Sequence, residues 1–175
     1  MTTDSTPLVR RASEQDATML AELAARTFYD AFAADNRAED MDAYMSVAFT
    51  PEKLASELSA PRNVFFVAEI GGSPVGYAQL RAGEAPDCVT GPDPVEVARL
   101  YVAQGWLGRG VGEALMRACF EEARAAGRRT LWLGVWEHNP RALAFYRKWD
   151  FRVVGSHPFV LGSDPQTDLL MERAL

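Results

Sequence analysis

The chain has 175 residues, 48% of them hydrophobic, with 18 basic and 24 acidic side chains and a net charge of −6 at pH 7. That length supports one sizeable core and one domain, 1–175, and no run of eighteen apolar residues is available to span a membrane as a helix. Residues 1–80 hold 12 acids against 6 bases while residues 81–175 hold 12 of each, a balance that argues against nucleic acid as partner and suits a cationic substrate or plain solvation.

The N-terminus, MTTDSTP, lacks the basic and apolar parts of a signal peptide, so a cytoplasmic protein is expected. Leu8, Val9 and Arg10 begin a short strand, and Ser13 stands where a helix N-cap belongs. In residues 14–32, Met19, Leu20, Leu23, Ala24, Phe28 and Phe32 recur at helical spacing, so one face of that helix is core. Phe28, Tyr29 and Phe32 come late in it, beside Asp30 and Asp35. These are candidates to bind a cationic acceptor, or simply the solvated end of a helix. Residues 40–49 and 51–58 read as two shorter helices.

Residues 63–70, NVFFVAEI, form an almost continuous apolar run and read as a buried strand. GGSP at 71–74 turns the chain, and 74–81 returns as a second strand. Gly76 within it marks a bulge or a close backbone approach. A loop with three prolines, 82–94, leads to the strand 95–102. Strict alternation there puts Glu96, Ala98, Leu100 and Val102 on one side and Val97, Arg99 and Tyr101 on the other. A carboxylate on a small, apolar side must be paired, solvated or perturbed, with Arg81 and Arg99 as available partners.

Glycines then cluster at 105, 108, 110 and 112, and a helical pattern starts at once with Leu115, Met116, Cys119 and Phe120. A strand, a tight glycine turn and a helix start together make a cradle of backbone N–H groups for an anion, at about residues 107–112. The spacing is not that of a dinucleotide fingerprint, whose third glycine would fall on Glu113, nor of a nucleotide-hydrolase loop, which needs Lys-Ser/Thr after its last glycine. The helix 112–126 is closed by Gly127. Residues 130–136, TLWLGVW, read as an internal parallel strand. Asn139-Pro140 opens a helix over 141–149, and strands are expected over 151–161 and 167–175 with a turn at 162–166. Pro158 suggests an edge strand. Cys88, Cys119, His138 and His157 are too scattered for a metal site. A disulfide between the two cysteines is left open, with Cys119 read as a buried thiol.

Two motifs resemble the GNAT superfamily of acyl-CoA-dependent N-acetyltransferases. Its phosphate-binding loop, Gln/Arg-x-x-Gly-x-Gly/Ala, is matched by Leu107, Gly108, Arg109, Gly110, Val111 and Gly112, with Leu107 departing from the pattern. Its closing motif, Asn-x-x-Ala-x-x-Phe-Tyr before a strand, is matched by Asn139, Ala142, Phe145, Tyr146 and Phe151. The resemblance implies an α/β fold with a mixed, mostly antiparallel sheet of six to seven strands, splayed between two central parallel strands and flanked by helices. It implies acetyl-CoA as cofactor, held by Tyr101, Val102, residues 107–112, Asn139, Ala142, Phe145 and Tyr146. It also implies Tyr146 as the acid for the departing thiolate, a backbone N–H near Val102 for the oxyanion, and Glu96 as general base.

Phe28, Tyr29, Phe32 and Glu137 are the expected acceptor residues, with His138 and His157 as further titratable groups. The C-terminal run HPFVLGSDPQTDLLM resembles bacterial polyamine or diamine N-acetyltransferases. The expected acceptor is therefore the primary amine of a small cationic polyamine or diamine, with no nucleic acid, no membrane and no metal. A homodimer is left open. A protein N-terminus or lysine as acceptor, and a non-catalytic acyl-CoA-binding module, are the alternatives.

Overall fold

The computed structural model describes residues 6–175. The polar residues 1–5, read above as lacking a signal, lie outside the described residues. Seven strands form one sheet: β1 (Leu8–Arg11), β2 (Asn63–Ile70), β3 (Ser73–Arg81), β4 (Pro94–Val102), β5 (Thr130–Trp136), β6 (Arg152–Leu161) and β7 (Asp164–Ala174). Their order is β1-β2-β3-β4-β5-β7-β6. Every neighbouring pair is antiparallel except β4 and β5, whose parallel register covers Pro94↔Thr130 to Glu96↔Trp132. Beyond that point the two central strands part.

Helices α1 (Ala17–Phe32), α2 (Ala38–Ala48) and α3 (Pro51–Ser59) cover one face of the sheet, and α4 (Val111–Ala125) and α5 (Pro140–Lys148) the other. The alternation in β2 serves both: Phe65 and Val67 enter the core under α1–α3, while Phe66 and Ala68 enter the core under α4 and α5. In α1, Leu20, Leu23, Ala24 and Phe28 form the buried stripe, as their spacing predicts. Leu115 and Met116 of α4 are fully buried, and truncating either to alanine is expected to cost about 2–5 kcal/mol.

Several boundaries differ from the sequence reading. Residues 14–16 form a single 3-10 turn before α1, because the Asp16 carboxylate folds back to accept the Ser13 N–H at 2.8 Å. The expected turn at 162–166 shrinks to Gly162 and Ser163, joining β6 to β7 in a tight hairpin. Asp40 of α2 makes that possible: its carboxylate accepts from both the Ser163 N–H and Oγ at 2.8 Å. This tie across the sequence holds the hairpin against α2. The strand with Pro158 is an edge strand, as expected.

The correction with most consequence lies in β4. Gln79 pairs with Arg99 and Leu80 with Val97, so Ala98 is an extra, bulged residue. A bulge resets the alternation and bends the strand. Val95, Val97, Leu100 and Val102 all belong to the α4/α5 side, and Tyr101 to the α1–α3 side. Glu96 therefore does not share a face with Leu100 and Val102. Gly76 permits a close approach, since a Cβ there would stand 2.9 Å from the Tyr101 carbonyl oxygen. Both cysteines are free: Cys119 is buried in the α4/α5 core, and Cys88 packs against Gly155 of β6. Among the described residues no helix is long and apolar enough to cross a membrane, and no group of His, Cys, Asp and Glu is placed to hold a metal ion.

Candidate active site

The cradle is built at the start of α4. Gly108 and Gly110 take the left-handed conformation, φ 73° and 82°, which a side chain would strain. A Cβ at either would meet nothing within 4 Å, so the loop has room above it. Gly110 is the N-cap of α4, and no side chain caps the helix. The N–H groups of Val111, Gly112 and Glu113 occupy the first helical positions, which have no partner inside a helix. They point where the helix dipole favours an anion. The Leu107 N–H is already donated to Gln104 at 3.3 Å, so the open part of the cradle begins at Gly108. The Arg109 guanidinium lies 5.2 Å from the Trp106 ring centre. At Gly112, α4 comes close to α5, with the Phe145 ring 3.4 Å from where a Cβ would be.

Between cradle and sheet centre lies the gap where β4 and β5 part. Gly76 and Val102 face each other as a pair without mutual hydrogen bonds, because the Ala103 N–H donates to the Val75 carbonyl at 2.8 Å. The Val102 N–H and C=O therefore point away from β3, into the gap. Leu100, two residues back, does the same. An extended chain entering here finds free strand edge.

A cavity opens from this gap toward α1. It is lined by Leu100, Tyr101, Asn139, Ala142 and Tyr146 on the cradle side. Phe28, Phe32, Tyr44, Trp136 and Phe159 make its aromatic walls, with Asp168 as a carboxylate among them. Asn139 accepts the Ala142 N–H at 3.1 Å, so it caps α5 as its type predicts. Tyr146 is buried, and burial pushes its phenol up, with the nearby Cys119 adding to the effect. Burial also pushes up Tyr44 and Tyr101. These three phenols remain protonated donors at neutral pH.

The sequence-derived acceptor residues divide. Phe28 and Phe32 line the cavity, 4.7 Å apart between ring centres. Tyr29 is 55% exposed, and Glu137 lies at the surface beside His138, 3.5 Å away; neither lines the cavity. Glu96 lies outside the lining too, held by Arg81 with contacts of 2.9 Å from Nε and 2.8 Å from the terminal nitrogen. Arg99 does reach the cavity, but its guanidinium is committed to Glu57 at 2.7 Å. Asp168, Tyr44, Trp136, Phe159 and Gln166 were missed. Asp168 carried a signal: in TDLLM it alternates with Leu170, an acid on a core-facing period like the one that drew attention to Glu96.

The model of the acetyltransferase (GNAT) family matches residues 19–151 of this chain. The chain belongs to the GNAT acetyltransferase family. An uncharacterized N-acetyltransferase of Lactobacillus delbrueckii subsp. lactis is 34% identical over 165 residues, covering 94% of this chain and 95% of its own. The N-alpha-acetyltransferase RimI of Mycobacterium tuberculosis is 33% identical over 123 residues, 68% of this chain and 73% of its own. Among solved structures, the PaiA N-acetyltransferase of Thermoplasma acidophilum in complex with coenzyme A superposes with a TM-score of 0.81 at 21% identity, covering 97% and 99% of the two chains. This GNAT protein is thus an acetyl-CoA-dependent N-acetyltransferase. Its open left-handed glycines, uncapped α4 and free β4 edge fit a diphosphate on an extended arm.

Proposed function

We propose that the protein transfers the acetyl group of acetyl-CoA directly to the primary amine of a small molecule with one ammonium group and an apolar body. The observation that carries this reading is the lining of the cavity: eight aromatic side chains and one carboxylate, Asp168, with Arg99 already paired to Glu57. A polyamine presents several ammonium groups, each needing its own compensation on leaving water. The lining offers one carboxylate for them. Aromatic faces suit an apolar body and also attract a single cation.

Acetyl-CoA supplies the activated acyl group. The amides of residues 108–113 bind its diphosphate, and the gap-facing N–H and C=O groups of Leu100 and Val102 align its arm. The Val102 N–H donates to the oxygen where negative charge develops. Tyr146, kept protonated by burial, donates a proton to the departing sulfur. Both reactants lie in one cleft, so no covalent enzyme intermediate is required.

A second reading, the N-terminal amine of a peptide or protein, is supported by the likeness to RimI. A panel assay following released thiol separates them. It spans aryl-alkyl monoamines, diamines and polyamines, amino acids, and peptides with free N-termini. The expected ranking puts aryl-alkyl monoamines at least about 10-fold above spermidine in kcat/KM, the effect of one uncompensated buried charge. Preference for spermidine, or for peptides, would overturn it.

A further inference from the structure

We propose that Asp168 and His157 form the proton-accepting pair of the cavity: Asp168 takes the proton from the incoming ammonium group, and His157 passes it to solvent. The inference rests on the amine-acetyltransferase reading above and assigns its general base to residues 61 and 72 positions downstream of Glu96, where such a base was first sought.

Three features of the fold bring the pair together. Asp168 and His157 are direct cross-strand partners in the β6–β7 ladder, with Oδ2 and Nε2 3.7 Å apart. Asp168 also stands opposite Trp136 of β5, at the end of the sheet where the central strands have parted. The third feature is Gly134. It is a glycine in the middle of a central strand, between buried Leu133 and Val135, where an apolar side chain would ordinarily pack. A Cβ there would lie 3.5 Å from Asp168 Oδ2 and 3.5 Å from His157 Nε2. The missing side chain leaves a notch directly beside both polar atoms, open to the cavity.

The exposure of the two groups is graded. The Asp168 side chain is 17% exposed and that of His157 42%. One faces the aromatic cavity and the other reaches water. Burial pushes the Asp168 carboxyl up, and His157 opposes that shift. The other titratable or charged groups around the cavity are Tyr44 on α2, Arg99 and Tyr101 on β4, and Tyr146 on α5. Arg99 is neutralised by Glu57, and the phenols are uncharged. No lysine or arginine lines the cavity beside Asp168 except that committed Arg99. Glu96, by contrast, is paired with Arg81 through Oε2 and lies outside the cavity lining.

The chemistry closes without any further reactant. The R–NH3+ group gives one proton to the Asp168 carboxylate, leaving R–NH2 with a free lone pair. Asp168 then passes the proton to the free ring nitrogen of His157, which releases it to water, and the carboxylate is restored. Burial raises the basicity of the carboxylate and lowers that of the amine, so the cavity narrows the gap between donor and acceptor.

The test uses the full chain. Binding of 2-phenylethylamine and of its neutral counterpart 2-phenylethanol is measured by calorimetry in the presence of coenzyme A. The rate with the best amine of the panel is followed against pH. Asp168→Asn is expected to weaken the amine at least about 10-fold, the scale of one lost charge-assisted hydrogen bond, and to leave the alcohol unchanged. It should lower kcat/KM by about 100-fold or more and remove the acidic limb of its pH profile. Asp168→Glu should recover part of that rate. His157→Gln should lower kcat by several fold, and added imidazole should restore it, as a purely structural loss would not be restored.

Wild-type discrimination and rate retained by Asp168→Asn in an active enzyme would overturn the assignment of Asp168 alone. A His157→Gln deficit that imidazole leaves untouched would overturn the relay. A wild-type protein that binds acetyl-CoA but neither binds nor acetylates any amine would overturn both this inference and the functional reading beneath it.

Discussion

The two ends of the cleft are made of different material. The end proposed for the cofactor is backbone: the amides of residues 108–113 and the gap-facing edge of β4. The end proposed for the acceptor is side chains from α1, α2, β4, β5, β6 and β7 meeting in one cavity. Backbone groups are the same in every residue, so such a site needs only a strand, glycines that allow the turn, and a helix start. A site made of side chains needs particular residues brought together from distant positions. The first should tolerate substitutions that keep the turn. The second is sensitive to single atoms at positions far apart in sequence.

Mutations that separate the ends should separate the kinetic parameters. The largest effect is expected for Tyr146→Phe, which removes the acid proposed to act between them: kcat should fall by about 100- to 10,000-fold, with the Kd for acetyl-CoA unchanged in a calorimeter. An unaltered kcat would remove Tyr146 from its role as acid. Next is Gly110→Val, which forces a β-branched side chain into φ 82°. Strain of about 1–3 kcal/mol should raise the KM for acetyl-CoA by about 10-fold or more while the amine KM moves little. Phe32→Ala should do the reverse, raising the amine KM by several fold without touching the cofactor. If either substitution shifts both constants together, the division of labour fails.

Smaller effects sharpen the picture. Glu96→Gln should change kcat less than about 3-fold, because the carboxylate is held by Arg81 away from the cavity; a fall of two decades would reinstate it as the base. Asp168→Asn should not lower the Tm at pH 7. The native carboxyl is pushed up by burial, so the folded state holds that proton more tightly than the unfolded state. Stability is then full below the ordinary carboxylate range and declines as pH rises through the raised value. Removing the charge lifts that penalty, and a Tm scan from pH 4 to 8 should show the variant gaining on the wild type as pH increases.

How far the sequence could be read follows the same division. The stripe Leu20, Leu23, Ala24, Phe28 on α1 and the two-sided burial of β2 appear as local periodicities, since each depends on a helix or strand meeting one apolar layer. The glycine turn and the Asn139 cap are local as well. Glu96 shows the limit. Its predicted face assumed unbroken alternation, and one extra residue at Ala98 shifted every later side chain relative to it. Nothing in VEVARLYV announces that bulge; it is set by how β4 pairs with β3.

The sequence by itself determined the order of strands and helices, the glycine turn at residues 107–112 and the GNAT family, because these depend on neighbours within a few residues. Tertiary structure alone decided which acid lines the cavity. Asp168, His157 and Gly134 lie on three strands, and Glu96 and Arg81 on two others. Only the pairing of those strands leaves one carboxylate open to the cavity and neutralises the other.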